Sequence, residues 1–167
     1  KRQLSGLNPV TEGGVITAGN ASQITDGAAA VLVCNDAGLK KIKCDPLVKV
    51  KGISVVGDDP ILMLTGPIPA TKKVLSESKL NIDEIGLYEV NEAFAPVPLA
   101  WEIEVKADRS KLNVNGGAMA LGHPLGASGA KLMTTLIYEM HRRNEKYGLQ
   151  AICEGGGTAN ATILEKI

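Results

Sequence analysis

The most constraining feature of the 167-residue sequence is a glycine-rich run in its second half, Asn113-Val-Asn-Gly-Gly-Ala-Met-Ala-Leu-Gly-His-Pro-Leu-Gly-Ala-Ser-Gly-Ala130. Its one histidine, His123, is locked between Gly122 and Pro124. A residue before proline is pushed out of the helical region into extended geometry. The flanking glycines allow backbone shapes closed to other residues, and close approach of a ligand. The run therefore reads as a stiff, narrow strand-to-helix turn that holds an imidazole. Directly after it, Gly126 to Met140 reads as a helix whose first turn carries only small side chains. This helix should reach about Asn144, with Arg142-Arg143 near its C-terminus, where cations suit the helix dipole. His141 on that charged end reads as exposed.

Two further stretches combine small residues with one chemically capable group: Val90-Asn91-Glu92-Ala93-Phe94-Ala95 and Cys153-Glu154-Gly155-Gly156-Gly157. Asn91-Glu-Ala-Phe, Gly122-His123-Pro124 and Cys153-x-Gly155, in this order and spacing, closely resemble the C-terminal half of a thiolase, an acetyl-CoA acyltransferase. Thr17-Ala-Gly-Asn-Ala-Ser22 upstream fits the same family, so the resemblance covers nearly the whole chain. It implies that the nucleophilic cysteine belongs to an earlier half that these residues do not include.

Composition narrows the alternatives. Hydrophobic residues make up 44% and aromatics only 3%, so a core must be built from Leu, Ile, Val and Ala. Lys+Arg and Asp+Glu balance at 18 each. Without a broad basic field, nucleic acid is not expected as a partner, nor is an anionic membrane. No apolar run approaches the roughly 20 residues of a transmembrane helix, so no membrane insertion is expected. Cys34, Cys44 and Cys153 fit neither a disulfide framework nor a zinc spacing, so no metal is expected and a reducing compartment is the simplest reading. The start at Lys1, without methionine or signal-peptide pattern, reads as a processed product or a fragment. The expected location is cytoplasmic, or the mitochondrial or peroxisomal matrix in a eukaryote.

Along the chain, Lys1 to Gly14 is a polar lead-in and Thr17 to Ser22 a small-residue loop. The second half of Ala28-Ala-Ala-Val-Leu-Val-Cys34 is short, apolar and partly β-branched, which predicts a buried strand. Asn35 to Asp45 reads as a helix followed by a loop. Pro46 to Val56 alternates apolar and polar residues, the mark of a strand with one solvated face. Pro69 suits a first helical turn and predicts a helix over Ala70 to Ser78. Asn81 reads as a cap with a short turn, Gly86 to Val90 as a strand, and Ala95 to Lys106 as a helix with Pro96 and Pro98 in its first turn. Asp108 to Lys111 reads as a charged surface loop. Leu149 to Cys153 and Ala159 to Glu165 read as two strands joined by the triple-glycine turn.

This order implies α/β architecture with a mixed sheet, with Asn91, His123 and Cys153 each at or near the C-terminal end of a strand, where open α/β sheets form ligand sites. The resemblance adds a thiolase-like layered fold with helices on both faces of the sheet, here the C-terminal half of the two-fold repeat. In that scheme residues 1–45 close the N-terminal domain and residues 46–167 form the C-terminal domain.

The resemblance also implies chemistry. Thiolases cleave or form a carbon–carbon bond next to a thioester carbonyl. Cys153 would be the acid/base; a thiol with an ordinary pKa of about 8.5 needs only a modest shift to exchange protons near neutrality. His123 would activate the nucleophile and donate to the thioester oxygen, since imidazole titrates near physiological pH. Asn91 would hold a water completing that oxyanion site, and the Gly155 N–H would serve the second oxyanion site. Ala18, Ser22, Met63, Ala93 and Phe94 would border the coenzyme A and acyl groups. Leu64 departs from the glycine many thiolases carry there. Coenzyme A thioesters would be substrates, so no cofactor is expected. Expected partners are the half carrying the nucleophile and further copies in a homodimer or homotetramer. Cys34 and Cys44 read as structural. The Asn91-to-Trp101 stretch looks more like broad acyl-CoA thiolases than short-chain biosynthetic ones. The rivals are a ketoacyl synthase relative, a non-catalytic module binding coenzyme A or lipid, and an inert dimerising half-domain.

Overall fold

The structure, a computed structural model, describes residues 3–167. Five helices and four strands follow a single-turn 3-10 helix at Leu4–Gly6: α1 (Asp36–Ile42), β1 (Val48–Gly57), α2 (Pro67–Ser78), β2 (Leu87–Val90), α3 (Pro96–Val105), α4 (Ala118–Leu121), α5 (Ser128–Arg143), β3 (Tyr147–Cys153) and β4 (Thr158–Lys166). The strands form one mixed sheet in the order β1-β4-β3-β2, in which β2 and β3 are parallel and the other pairs antiparallel.

Local chemistry sets the element ends. Pro67 opens α2 and Pro96 opens α3, where the missing N–H costs nothing. Lys79, Lys106 and Asn144 end α2, α3 and α5 in the left-handed region, and their N–H groups return to the last turns, which satisfies otherwise orphaned carbonyls. At Asn81 the backbone N–H donates to Glu84 Oε2 at 2.8 Å, part of a capping box on a 3-10 turn. The charged stretch at Asp108 is ordered in the same way, since Asp108 accepts from the Ser110 N–H at 2.9 Å ahead of the 3-10 turn Arg109–Lys111.

Helices cover both faces of the sheet. On one face α2 and α3 pack through Ala70, Val74, Val97 and Trp101 against Tyr88, Val90, Leu149, Ala151, Ala161 and Ile163. Trp101 is 0% exposed, meets Tyr88 edge-on at 5.3 Å and donates to Thr71 Oγ1 at 2.8 Å. On the other face α5 packs through Leu136, Ile137 and Met140 onto Leu87 and Leu164. Aliphatic side chains supply most of this core, and the lone tryptophan is its largest buried side chain.

Two expectations fail. The segment Ala28 to Cys34 is not a buried strand: residues 22–35 carry no regular secondary structure, and Leu32 and Val33 are 74% and 76% exposed. An apolar run becomes a strand only by pairing with a neighbour, and among the described residues this one has none in a ladder. The second failure concerns His123. It does not follow a strand; it lies between the short helix α4 and α5. Ala118-Met-Ala-Leu121 turns once as a helix before Gly122, at φ 84°, reverses the chain.

Candidate active site

Asn91 follows β2 directly, and its N–H donates to Ala151 O of β3 at 3.0 Å. Asn113 secures the free edge of that strand end. Its side chain accepts from the Val90 N–H at 2.8 Å and donates to Val90 O at 2.9 Å, in place of a further strand. The same amide donates to Glu92 Oε1 at 3.1 Å, and Glu92 Oε2 accepts the Met119 N–H at 3.3 Å. Glu92 thus ties the Asn91 loop to the start of α4. A Cβ at Gly117 would fall 1.9 Å from the Glu92 carboxyl carbon, so a larger residue there would displace the Glu92 side chain and its ties.

The His123 turn is held from three sides. Its N–H donates to Gln23 O at 2.8 Å. Lys131 Nζ donates to Leu121 O at 3.1 Å and to Gly122 O at 2.9 Å. The imidazole lies between Ser128 Oγ, 2.5 Å from Nδ1, and Asn91 Nδ2, 3.3 Å from Nε2. Placing the Ser128 proton on the bond to Pro124 O, 3.0 Å away, assigns His123 the Nδ1–H tautomer, with the Ser128 oxygen accepting. This leaves the Nε2 lone pair facing the Asn91 amide hydrogens. Burial, seconded by the Lys131 charge, lowers the His123 pKa. The ring therefore rests neutral, with Nε2 as an available base that becomes a donor once protonated.

Cys153 ends β3 and Gly155 lies in the turn to β4. The side chain of Cys153 packs on the α2/α3 side, with Leu149 and Ala151. Asn91 instead lines a cavity on the α5 side, so the two residues flank the sheet's C-terminal edge from opposite faces. Burial raises the Cys153 pKa and Glu154 adds to the shift. The thiol thus stands as a proton donor, further from neutrality than the expected modest shift, because no cation among the described residues offsets the burial. The Gly155 N–H donates to no group among the described residues, and the space beside its Cα is open.

Of the residues expected to border coenzyme A, three are brought together. Ser22 N–H donates to Ala93 O at 2.9 Å, Ala95 N–H to Asn20 O at 2.9 Å, and Ala21 bridges Phe94. Ala18 is exposed at the start of this loop, whose shape comes from the Asn20 side chain accepting the Thr17 N–H at 2.6 Å. Met63 lies apart in the loop after β1 at φ 30°, a loop tied to the glycine hairpin by Asp58 N–H donating to Gly157 O at 2.7 Å. No three His, Cys, Asp or Glu side chains among the described residues gather as metal ligands. No described helix is long and apolar enough to cross a membrane.

Residues 44–166 match the family described as thiolase, C-terminal domain, and residues 2–37 match thiolase, N-terminal domain. The chain belongs to the thiolase family. Among similar proteins, a steroid 3-ketoacyl-CoA thiolase of Mycobacterium tuberculosis, FadA6, is 54% identical over 99% of this chain and 40% of its own length. The acetyl-CoA acetyltransferase of Bacillus anthracis superposes with a TM-score of 0.94 at 40% identity, over 99% of this chain and 42% of that one. Human mitochondrial 3-ketoacyl-CoA thiolase in complex with CoA superposes with a TM-score of 0.91 at 43% identity, again over 99% and 42%. The chain thus spans about two-fifths of the length of these thiolases.

Ser128, Lys131, Glu92 and Asn113 were not singled out from the sequence as parts of the site. Ser128 had a legible signal, a hydroxyl in the first turn of the helix that follows the histidine. Gln23 had none, because it contributes only its backbone carbonyl.

Proposed function

We propose that these residues supply the proton-handling and oxyanion-binding part of a thiolase that cleaves 3-ketoacyl-CoA with coenzyme A or condenses two acyl-CoA molecules. The nucleophilic cysteine comes from the remainder of the N-terminal domain. The observation that carries this reading is the Ser128–His123–Asn91 arrangement, which presents a neutral Nε2 beside an amide donor. In the proposed cycle His123 Nε2 takes the proton of the nucleophilic thiol, which then attacks the thioester carbonyl. The protonated ring and a water held by Asn91 stabilise the oxyanion. Cys153 exchanges the proton of the acetyl α-carbon, and the Gly155 N–H receives the second oxyanion. Ala18, Ser22, Ala93 and Phe94 border the acyl-CoA thioester, and Met63 reaches it from the loop after β1.

Two relatives are named for 3-ketoacyl-CoA substrates, one of them steroidal, which supports a broad acyl group here. A homodimer or homotetramer in an aqueous compartment completes the reading. The test uses the full enzyme with both domains. His123→Ala should abolish formation of the covalent acyl-enzyme from labelled acyl-CoA while coenzyme A binding persists. Unchanged acyl-enzyme formation would remove His123 from the mechanism.

A further inference from the structure

Behind the Asn91–His123 pair lies a buried polar row that the proposed cycle does not use. Glu89 is 2% exposed and stands two residues before Asn91, so both point to the α5 side of β2. Its partner in the parallel register is Gln150 of β3, 3% exposed. Glu89 Oε2, Gln150 Oε1 and Asn91 Oδ1 are all buried and meet no donor among the described residues. Glu89 and Asn91 also line one small enclosed cavity of about 10 Å³, together with Ser128, Lys131 and Thr135 of α5. That space suits a single water. Buried acceptors that face one another without a proton between them are costly. A carboxylic acid brings that proton, and a carboxylate does not.

We propose that Glu89 works as a neutral carboxylic acid that donates its O–H into this row toward Gln150, and that it is thereby a positioning residue for the Asn91–His123 pair. The inference rests on the reading that this pair is part of the active site. The surroundings agree. Burial, then the charges of Glu92 after β2 and Glu139 on α5, raise the Glu89 pKa to about 8, opposed only by Lys131 on α5. Lys131 is the other titratable group lining the cavity, and His123, in contact with Asn91, is pushed towards its neutral form by burial and by the Lys131 charge.

The consequence concerns the Asn91 amide. Its Nδ2 serves the His123 lone pair, so Oδ1 must look inward. An ionised Glu89 would draw the NH₂ group inward and turn Oδ1 against His123 Nε2, acceptor against acceptor. Ionisation of Glu89 would therefore disorder the base at alkaline pH.

The experiment compares Glu89→Gln and Glu89→Ala in the full two-domain enzyme. Glutamine keeps the shape, the neutrality and a donor; alanine removes the donor. Glu89→Gln should hold kcat near pH 7 within about threefold, while its alkaline limb retreats to the range of the Cys153 thiol. Glu89→Ala should lose at least about tenfold in kcat with little change in KM. Two readouts do not depend on turnover. The infrared spectrum at neutral pH should show a carboxylic-acid band that vanishes in Glu89→Gln. The His123 ring titration, followed by nitrogen NMR, should shift in Glu89→Ala and stay in Glu89→Gln. Absence of the infrared band, or a Glu89→Gln enzyme as impaired as Glu89→Ala with its fold intact, overturns the proposal. If no variant or parent shows thiolase turnover, the proposed function fails, while the band and the titration still decide Glu89. Should Glu89→Ala not fold, Glu89→Gln carries the test alone.

Discussion

Residues 3–35 and residues 48–167 carry apolar stretches of similar strength, yet they end in opposite states. Leu149 and Ala151 of β3 are 0% exposed, flanked by β2 and β4 and covered by α2 and α3. Val31, Leu32 and Val33 form an equally strand-like run, lie in no ladder, and are 38%, 74% and 76% exposed. A strand is a relation between chains of residues, and its burial depends on what lies beside it. The leading segment nevertheless matters to the site. Ser22 and Asn20 exchange backbone bonds with Ala93 and Ala95, and Gln23 holds the His123 N–H. It is a site component without a core of its own. In the proposed reading the rest of the N-terminal domain supplies its sheet neighbours.

The largest expected effect tests that division directly. The 167-residue chain alone should show no cleavage of acetoacetyl-CoA, because His123 is present but no thiol is placed to be activated. Cys34 and Cys44 are exposed outside the sheet. Supplying the N-terminal domain, fused or as a separate chain, should restore turnover. The lone chain should also self-associate, since Leu32, Val33 and Ile103 leave apolar surface open; sedimentation would measure this. Turnover by the lone chain that disappears with Cys34→Ser or Cys44→Ser would break the comparison.

Within the complete enzyme the next effect is chemical. Cys153→Ala should lower turnover by about 10²–10⁴-fold, the usual worth of a positioned acid/base. Acylation of the nucleophile by labelled substrate should persist, because the proposed cycle gives that step to His123. Loss of acylation with an intact circular dichroism spectrum would give Cys153 a different role.

A packing effect of a few kcal/mol sharpens the contrast further. In the lone chain Leu149→Ala should cost about 2–5 kcal/mol, as buried leucines do, while Leu32→Ala should stay within about 0.5 kcal/mol. Joined to the N-terminal domain, Leu32→Ala should become costly. Denaturant midpoints of the three variants against their two parents give the answer, and a Leu32→Ala that stays neutral in the joined chain would leave the segment without a sheet partner.

The sequence was legible wherever structure depends on local chemistry. Proline marks the first turns of α2 and α3, alternation marks β1, and the triple glycine marks the β3–β4 turn. The Asn91, His123 and Cys153 motifs were equally readable, since each carries its turn chemistry with it. What escaped depended on distant partners. The run at Val31 could not announce that it finds no strand to pair with among the described residues. The turn of α4 before Gly122 could not be seen because Ala118 to Leu121 is too short for periodicity to speak. Glu89 and Gln150 looked like ordinary polar residues until the strand register placed them side by side under α5.

The smallest expected effect uses pH, and it belongs to the body alone, since Glu12 and Asp26 of the leading segment are exposed while Glu89 and Glu139 are buried. The two buried carboxyls should respond with opposite sign. Glu139 accepts from Arg142 Nε at 2.7 Å and from Arg143, and hydrogen bonding led by Arg142 outweighs burial to hold its pKa at about 2. A depressed value gives stability that is present above the ordinary 4.5 and lost as pH falls towards 2. Glu89 is raised from 4.5 to about 8, so its stability is fully present below 4.5 and lost as pH rises through that interval. The Tm deficit of Glu139→Gln should therefore be largest near neutrality and close in acid. The Tm of Glu89→Gln should gain on the parent as pH climbs from about 5 to about 9. The Arg142 side chain is 65% exposed, so salt should shrink the Glu139 term and leave the Glu89 term, which is set by burial, nearly unchanged. Parallel pH slopes for the two variants would mean that both carboxyls sit in equivalent surroundings, against the ion pairs at one end of α5 and the unpaired polar row at the other.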